Sequence, residues 1–435
     1  MLGPILGFLA YSLDLPIPPQ AKIVFGITVL AVVYWFSEVI ELHVTGLMIA
    51  FLLIVLGGFT PAQIFPNYFD PVVMLLLGGF MLALALQKFE LDELIALRAA
   101  RHFGHDPKWL ILGFMALTAF LSFWVSNTAS AAVMIPIALY IIRKNKLDPG
   151  KSNFARAFIL CVAYAATIGG LGTLVGSTPN PLAAKYINEM GVSFGFTDWM
   201  LYGLPFVVVF LLVIWVVVRY LFKPEIDKVD VELRDMKLNG NQEKVLGIFF
   251  VTILLWIFGE QFGLVNSVVA IVPIILLYLL KLVDEKDFGR VDWGILSLIG
   301  SGIALGYAFH QSGFDSFVAS LIQGIVIGQP LFLVIFVISV FSVLLTMFAS
   351  NTASAAIMIP LMIPLAPIIG VRPEVLIVIV AVGVSLDFTA PMGTPPNAIA
   401  YSTGYVNVLQ MAKSGLLLSL LASLLLAVFA TFVWI

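Results

Sequence analysis

The sequence has few charged residues and almost no cysteine. Only 11% of its 435 residues are Asp, Glu, Lys or Arg, and Cys161 is the single cysteine. Soluble domains carry about 25% charged residues, so this scarcity of charge excludes a soluble enzyme. One cysteine excludes a disulfide scaffold. Without a basic tract, no nucleic-acid partner is expected.

Apolar residues are abundant instead. Hydrophobic residues make up 61% of the chain, and its mean hydropathy is +1.09. A spanning helix needs about 20 apolar residues, and the apolar runs are continuous rather than alternating as in a membrane β-barrel. We therefore predict an all-α polytopic integral membrane protein surrounded by lipid. Its apolar N-terminus is predicted to be a first helix and not a signal peptide.

An internal repeat divides the chain into two halves. SNTASAAVMIP at 126–136 and SNTASAAIMIP at 350–360 are identical at ten of eleven positions, with an offset of 224. Downstream, GSTPN at 176–180 corresponds to GTPPN at 393–397, with an offset of 217. Each half is therefore predicted to carry a Ser-Asn-Thr break and then a Pro-Asn break. Corresponding interrupted segments in two halves indicate a transport site near the middle of the membrane. The alternative is a pair of packing kinks left by gene duplication.

Four apolar runs are too long or too interrupted for one plain span. The runs 107–142 and 330–369 are predicted to be re-entrant hairpins, with Pro136 in the first and Pro360, Pro364 and Pro367 in the second as candidate break points. Two others are predicted to be broken helices, interrupted near 173–181 and 391–397. Proline removes a helical hydrogen bond, and irregular backbone in a membrane must be buried or line a cavity. The predicted architecture therefore has about 11 transmembrane helices, two re-entrant hairpins and two broken helices.

Basic residues indicate the orientation. If the N-terminus is cytoplasmic and each hairpin returns to its own side, 19 of the 22 Lys and Arg residues lie in cytoplasmic loops. This is the distribution that the positive-inside rule requires. The two hairpins then enter from opposite sides, so the halves are predicted to be inverted repeats in the plasma (inner) membrane. Hairpins that spanned fully would scatter the basic residues to both faces.

Hydroxyl side chains precede both repeats at matching positions. Ser122 and Ser126 are four residues apart and share a helix face, and Thr346 and Ser350 repeat this spacing. Each pair leads into an asparagine, whose amide offers an acceptor and two donors. Hard oxygen ligands suit small cations, whereas helix N-termini suit anions. Since neither motif holds Lys or Arg, bound cations would supply the charge that a buried anion needs, which predicts cation-coupled anion symport. Alternatively, each hydroxyl bonds back to a helical carbonyl.

The duplicated SNT, followed in each half by G-S/T-x-P-N, resembles the divalent anion/sodium symporter family, which transports dicarboxylates, citrate or sulfate. The resemblance covers nearly the whole chain. It implies a homodimer in which each protomer has a scaffold domain and a transport domain that moves like an elevator. The implied parts are scaffold at 1–106 and 243–323, transport domain at 107–222 and 324–435, a cytoplasmic connecting loop at 223–242, and arm helices at 90–103 and about 313–323.

By position, the resemblance implies two Na+ sites and one substrate site. The first Na+ ion would bind Ser122, Ser126, Asn127 and the carbonyl of Gly176. The second would bind Thr346, the carbonyl of Ala349, Asn351 and the carbonyl of Gly393. The substrate residues would be Asn127, Thr128, Ser177, Asn351, Thr352 and Thr394. Thr178 departs from the family pattern, because the second half has Pro395 there and a proline pair is common in relatives.

The sequence therefore favours Na+-coupled symport of a four-carbon dicarboxylate such as succinate, malate or fumarate, because two paired motifs suit an anion with two charged ends. Na+-independent exchange, symport of sulfate or citrate, and a gated anion channel remain alternatives. An enzyme is not expected, since the SNT serines lack a His, Lys or Asp at a spacing that would activate them. No phosphate-binding GxxxxGK[ST] loop is present, so direct use of ATP is not expected.

Several acids need a separate interpretation. Asp387 lies inside a predicted broken span, six residues before Gly393, and an acid within the membrane is a functional hypothesis by default. It could carry a proton, tune the second cation site, or cap the broken helix through Ser385 or Thr389. Glu38 lies near a turn between two spans and is predicted to be interfacial.

Overall fold

The computed structural model describes residues 2–100, 102–231 and 238–434, and within them the chain is all-helical. The helices of the first half are Leu2–Ser12, Pro19–Ser37, Leu42–Val55, Pro61–Ile64, Pro71–Lys88, Leu91–Ala100, Pro107–Ser122, Asn127–Lys144, Asn153–Gly169, Pro179–Glu189 and Phe196–Leu221. Those of the second half are Gly240–Phe258, Asn266–Val269, Ile271–Leu279, Glu285–Gly289, Trp293–Ser312, Phe314–Val326, Leu331–Thr346, Asn351–Ile369, Pro373–Gly383, Pro395–Ser402 and Val408–Phe432. Two short 3-10 helices are Phe65–Phe69 and Gly259–Phe262.

Many of these helices suit a membrane. Among the described residues, seven helices are long and apolar enough to cross one, and eight further apolar helices have 10–17 residues. The all-α, polytopic character predicted from composition agrees with this architecture. The predicted number of about 11 spans stays a prediction, because several segments are pairs of short helices rather than single long ones.

Both SNT motifs lie where two helices meet at a tight turn. The first hairpin joins Pro107–Ser122 to Asn127–Lys144, and the second joins Leu331–Thr346 to Asn351–Ile369. Ser126 caps its returning helix by accepting a hydrogen bond from the N–H of Ala129 at 3.2 Å. In the second hairpin the corresponding serine accepts from the N–H of Ala353 at 3.1 Å. An N-cap serine satisfies an N–H that has no intrahelical acceptor, and so fixes where each helix begins.

The prolines of the two hairpins do not mark the breaks. Pro136 lies inside Asn127–Lys144, and Pro360, Pro364 and Pro367 lie inside Asn351–Ile369. The prolines were therefore wrong as break points, whereas the breaks predicted at Ser-Asn-Thr lie at the turns of both hairpins. Neighbouring helices in a membrane protein can satisfy the backbone groups that a proline frees, so the capping serines and not the prolines decide the turn.

Two other helices are interrupted in the same way as each other. The first broken segment, 170–178, separates Asn153–Gly169 from Pro179–Glu189, and the second broken segment, 384–394, separates Pro373–Gly383 from Pro395–Ser402. Asn180 donates to the carbonyl of Thr173 at 2.7 Å, and Asn397 donates to the carbonyl of Ala390 at 3.1 Å. In each half the acceptor lies seven residues before the asparagine, so the halves repeat this hydrogen bond.

The two halves interlock around the broken segments. Pro395–Ser402 packs against Asn153–Gly169 and Asn127–Lys144 from the first half. Pro179–Glu189 packs in turn against Asn351–Ile369 and Pro373–Gly383 from the second half. Each short helix after a break therefore lies among helices of the other half, which brings both pairs of motifs to one place.

The predicted arms and connecting loop are only partly described. Helices Leu91–Ala100 and Phe314–Val326 lie at the two predicted arms. Arg101 and residues 232–237, within the first arm and the loop, lie outside the described residues.

Glu225 lies in the described part of the connecting loop. Partial burial raises the pKa of Glu225, but hydrogen bonds from the Ser152 hydroxyl and the Phe154 N–H outweigh this effect and hold that pKa below its usual range. Glu225 thereby ties the loop to the start of the helix Asn153–Gly169.

Candidate functional site

The tips of both hairpins and both broken segments surround one cavity of about 650 Å³. Eleven of the twelve residues predicted from the sequence line it: Ser126, Asn127, Thr128, Gly176, Ser177, Thr346, Ala349, Asn351, Thr352, Gly393 and Thr394. The twelfth, Ser122, is fully buried beside the first tip. Residues more than 200 positions apart in sequence therefore meet in a single site.

The first hairpin tip holds a hydroxyl against an amide oxygen. Ser122 Oγ lies 2.8 Å from Asn127 Oδ1 and 2.6 Å from the carbonyl oxygen of Ala166. A hydroxyl has one proton and can donate to one of these acceptors at a time. Ala166 belongs to the neighbouring helix, so neither acceptor is a carbonyl of the preceding turn of the serine's own helix. The alternative that this hydroxyl only bonds back to its own helix does not hold in this structure.

The second hairpin tip repeats this relationship. Thr346 Oγ1 donates to Asn351 Oδ1 at 2.7 Å, again across five residues and a turn. Thr346 is almost completely buried. In both tips a helix that ends at a hydroxyl residue meets a helix that begins at an asparagine, so hydroxyl and amide oxygens gather at each turn. The prediction that the two hydroxyl residues of each half share one helix face was wrong, because the second of them caps the returning helix.

Glycine allows these oxygens to approach the first broken segment. A Cβ atom on Gly170 would lie 2.3 Å from Asn127 Oδ1 and 3.0 Å from the carbonyl oxygen of Gly176. A Cβ atom on Gly176 would lie 2.8 Å from the carbonyl oxygen of Ser122. Any larger residue would displace these oxygens. The group is composed of neutral hard oxygens, which is the donor type that fits a small cation.

Four helices begin at the cavity wall. Asn127–Lys144, Pro179–Glu189, Asn351–Ile369 and Pro395–Ser402 start there. Helix N-termini carry a partial positive charge and unpaired N–H groups, which favour an anion. Pro179 and the pair Pro395–Pro396 have no N–H, so the free N–H groups come mainly from the helices that begin at Asn127 and Asn351. Among the described residues that line the cavity there is no Lys or Arg, and Glu38 is the only ionisable side chain. An anion in this cavity would therefore meet neutral donors.

Some lining residues were not found from the sequence. Thr178 Oγ1 lies 2.5 Å from Thr352 Oγ1, although Thr178 was noted only as a departure from the family pattern. Phe80 and Ala83 come from the plain apolar helix Pro71–Lys88, whose sequence carries no signal of a site. Glu38, predicted to be interfacial, is exposed and also lines the cavity.

Asp387 is held by one of its two predicted partners. Its Oδ1 atom accepts hydrogen bonds from the Thr389 N–H at 2.9 Å and from the Thr389 hydroxyl at 2.7 Å. The Ser385 hydroxyl instead donates to the carbonyl of Ala381 at 3.3 Å. Of the two residues predicted to link Asp387 to the helix break, only Thr389 contacts it.

Known proteins resemble this chain over nearly its full length. A family model described as "Sodium:sulfate symporter transmembrane region" matches residues 6–435. An uncharacterized transporter from Haemophilus influenzae is 33% identical, over 97% of this chain and 94% of that protein. The sodium-dependent dicarboxylate transporter SdcS from Staphylococcus saprophyticus is 33% identical, over 97% of this chain and 88% of that protein. SdcS from Staphylococcus aureus is 32% identical, over 98% and 88%.

A solved structure shares the fold. The crystal structure of the Alcanivorax borkumensis YdaH transporter matches with a TM-score of 0.61 and 15% sequence identity. The match covers 86% of this chain and 88% of that chain. At this identity the likeness concerns the fold alone.

Proposed function

The chain belongs to the sodium:sulfate symporter family, and from this premise we propose that it is a secondary active transporter that moves a four-carbon dicarboxylate together with Na+. Membership of a transporter family agrees with the expectation that the protein is not an enzyme. Relatives at 32–33% identity are named sodium-dependent dicarboxylate transporters, which supports the choice of both ions.

One observation carries the proposal: two matching hydroxyl–amide pairs meet at a cavity whose described lining has no basic side chain. A buried anion without a compensating charge is strongly unfavourable. Bound Na+ ions would supply the positive charge that a buried dicarboxylate needs. The anion would then bind well only when the cations are present, and this dependence is the basis of coupling.

The proposed roles of the residues follow from the type of oxygen that each offers. The first Na+ ion would be held by Ser122, Ser126, Asn127 and the carbonyl of Gly176. The second Na+ ion would be held by Thr346, Asn351 and the carbonyls of Ala349 and Gly393. Each asparagine can face a cation with its oxygen and the anion with its nitrogen, so these two residues link the ions directly.

The substrate would lie between the two tips. One carboxylate would accept hydrogen bonds at Asn127 and Thr128, and the other at Asn351 and Thr352. Ser177 and Thr394 border the same cavity and would close the pocket from the broken segments. A sulfate ion that bridges both tips is the second candidate, because the family description itself includes sulfate. Citrate is a third, since it also carries well-separated carboxylates.

We further propose an inverted-repeat, elevator-type arrangement. Residues 1–106 and 243–323 would form the scaffold, and residues 107–222 and 324–435 the transport domain. The interlocking of the two halves around the broken segments supports a transport domain that moves as one unit. The homodimer and the plasma (inner) membrane location are part of the same proposal.

The orientation has its own test. Cysteine at Asn153 is expected to react with an impermeant thiol reagent only from the cytoplasmic side, and cysteine at Ser193 only from the opposite side. The native Cys161 is fully buried, so it should add little background. Reaction of both positions from one side would contradict the inverted arrangement.

Transport itself is tested with the purified protein in proteoliposomes. Uptake of radiolabelled succinate should require an inward Na+ gradient, saturate, and be competed by malate or fumarate more strongly than by sulfate or citrate. Uptake that needs only internal dicarboxylate and no Na+ would indicate exchange instead. Non-saturating anion current without coupling to Na+ would indicate a channel.

A further inference from the structure

Asp387 has the position in the second half that Gly170 has in the first. Each precedes the glycine of its G-S/T-x-P-N motif by six residues, Gly176 in one half and Gly393 in the other. The loops around them also match in structure, because both motif asparagines donate to the carbonyl seven residues upstream. The correspondence between Gly170 and Asp387 is therefore spatial as well as sequential.

A second repeated contact supports this correspondence. The residue after Gly170 is Leu171, whose carbonyl oxygen would lie 2.1 Å from a Cβ atom on Gly203. The residue after Asp387 is Phe388, whose carbonyl oxygen would lie 2.1 Å from a Cβ atom on Gly415. Both broken segments thus press the equivalent carbonyl onto a glycine of the following long helix, and they follow the same path at this point.

The position of Gly170 faces the oxygens of the first proposed cation site. A side chain there would begin 2.3 Å from Asn127 Oδ1 and 3.0 Å from the carbonyl oxygen of Gly176. In the second half a side chain is present at this position, and it is a carboxylate. A Cβ atom added to Gly393 would lie 1.8 Å from the Oδ2 atom of Asp387. Gly393 is the residue whose carbonyl is proposed to hold the second cation.

This carboxylate oxygen has no partner of its own. Asp387 is completely buried, and both hydrogen bonds from Thr389 go to Oδ1. Oδ2 has no hydrogen-bond partner within the described residues. A buried carboxylate is stable only when a positive charge or hydrogen-bond donors compensate it. A cation beside Gly393 would supply the missing charge.

We propose that Asp387 is an anionic ligand of the second cation site. The inference rests on the proposed function, and it makes the two sites chemically different. The first site is composed of neutral oxygens, and it has Gly170 at the position that corresponds to Asp387. The second includes a formal negative charge, so it holds its Na+ ion more tightly and fills before the substrate arrives. The first site then fills at higher Na+ concentration, together with the anion.

The test measures Na+ binding without transport. The melting temperature of the purified full-length protein is followed during a NaCl titration without substrate, with choline chloride keeping ionic strength constant. Asp387→Asn keeps the side-chain shape and the oxygen that accepts from Thr389, but it removes the charge. This variant should raise the half-saturating Na+ concentration at least about tenfold. An interaction with a charged group is stronger than one with a neutral group, and the energy difference corresponds to roughly this factor in affinity. The variant should also raise the melting temperature in Na+-free buffer, because an uncompensated charge is gone.

Two further variants separate binding from a structural role. Thr389→Val removes the hydroxyl that donates to Oδ1 but keeps the backbone N–H donor and the carboxylate. Its half-saturating Na+ concentration should therefore stay within about threefold of wild type. Asp387→Ser is a second neutral variant, smaller than aspartate, and should repeat the loss seen with Asp387→Asn if the latter is poorly folded.

The outcomes are distinct. If wild type and Asp387→Asn respond identically to Na+, and the variant is equally destabilised with and without Na+, then Asp387 only caps the break and the inference is overturned. If wild type itself shows no stabilisation by Na+ beyond that by choline, Na+ coupling fails and this inference fails with it. A wild-type response that the neutral variants lose supports both.

Discussion

The hydroxyl of Thr178 lies 2.5 Å from the hydroxyl of Thr352, across 174 residues of sequence. The contact joins the first broken segment to the tip of the second hairpin, and both residues line the cavity. Pro395 has the position of Thr178 in the second half and has no hydroxyl. The cavity is therefore asymmetric at this point, even though the motifs around it are repeated.

Loss of this contact should weaken substrate binding. Thr178→Val removes the hydroxyl and leaves a similar shape, so Thr352 loses a partner inside a half-buried site. One hydrogen bond contributes about 1 kcal/mol, which predicts a roughly fivefold higher substrate concentration for half-maximal uptake. Thr178→Ser keeps the hydroxyl and should behave like wild type. Equal behaviour of the valine and serine variants would contradict the prediction.

The two motif asparagines should both be essential. Asn127→Ala and Asn351→Ala each remove an amide oxygen that faces a hydroxyl at 2.7–2.8 Å, and the proposed link between cation and anion. Na+-driven succinate uptake should fall to background in either variant, while size-exclusion profiles in detergent stay unchanged. Asn241→Ala, at an exposed position outside the cavity, is the matched control and should keep full uptake. Full activity in either motif variant would overturn the assignment.

Two glycines should be needed to seat the broken segments. A Cβ atom on Gly203 would lie 2.1 Å from the carbonyl oxygen of Leu171, and one on Gly415 would lie 2.1 Å from that of Phe388. Overpacking of this kind costs about 1–3 kcal/mol. Gly203→Ala and Gly415→Ala should each lower the melting temperature and reduce uptake by at least about tenfold.

Gly247 provides the comparison for these two variants. It lies in Gly240–Phe258, and a Cβ atom there would meet nothing within 4 Å. Alanine is the better helix former by about 1 kcal/mol, so Gly247→Ala should leave uptake unchanged and should not lower the melting temperature. If all three alanine variants lost activity equally, close packing would not be the cause.

Glu225 should make stability depend on pH. Its pKa is lowered in the folded protein because hydrogen bonds from the Ser152 hydroxyl and the Phe154 N–H outweigh its partial burial. Such a carboxylate stabilises the fold above its unfolded pKa of about 4.3, and this contribution is lost as the pH falls through the lower folded pKa. Glu225→Gln should therefore lower the melting temperature at neutral pH.

The difference from wild type should shrink below about pH 4. Melting curves of both proteins across pH 3.5–8 provide the measurement, and Asp227→Asn, at an exposed position in the same loop, is the control. A difference that stays constant with pH would show that the charge of Glu225 is not responsible.

Much of the candidate site could be predicted because it is encoded locally. Ser122 and Asn127, and Thr346 and Asn351, are five residues apart, so one helix end and one turn suffice to bring each pair together. The resemblance between the two halves then predicts that both pairs serve one site. The Ser-Asn-Thr breaks lie at the turns, whereas the prolines predicted as further break points lie inside helices, because proline is only one way to end a helix. The serines that cap Asn127–Lys144 and Asn351–Ile369 determine the turns instead.

Composition and the internal repeat were enough to predict a polytopic membrane protein with a duplicated, uncharged polar motif, because hydropathy and repetition are properties of the chain itself. Packing between distant segments decided the rest. The contact of Thr178 with Thr352 and the part of Phe80 in the cavity wall depend on how helices that are distant in sequence pack against one another. No spacing in the sequence encodes such contacts, since each side chain's neighbours come from another part of the chain.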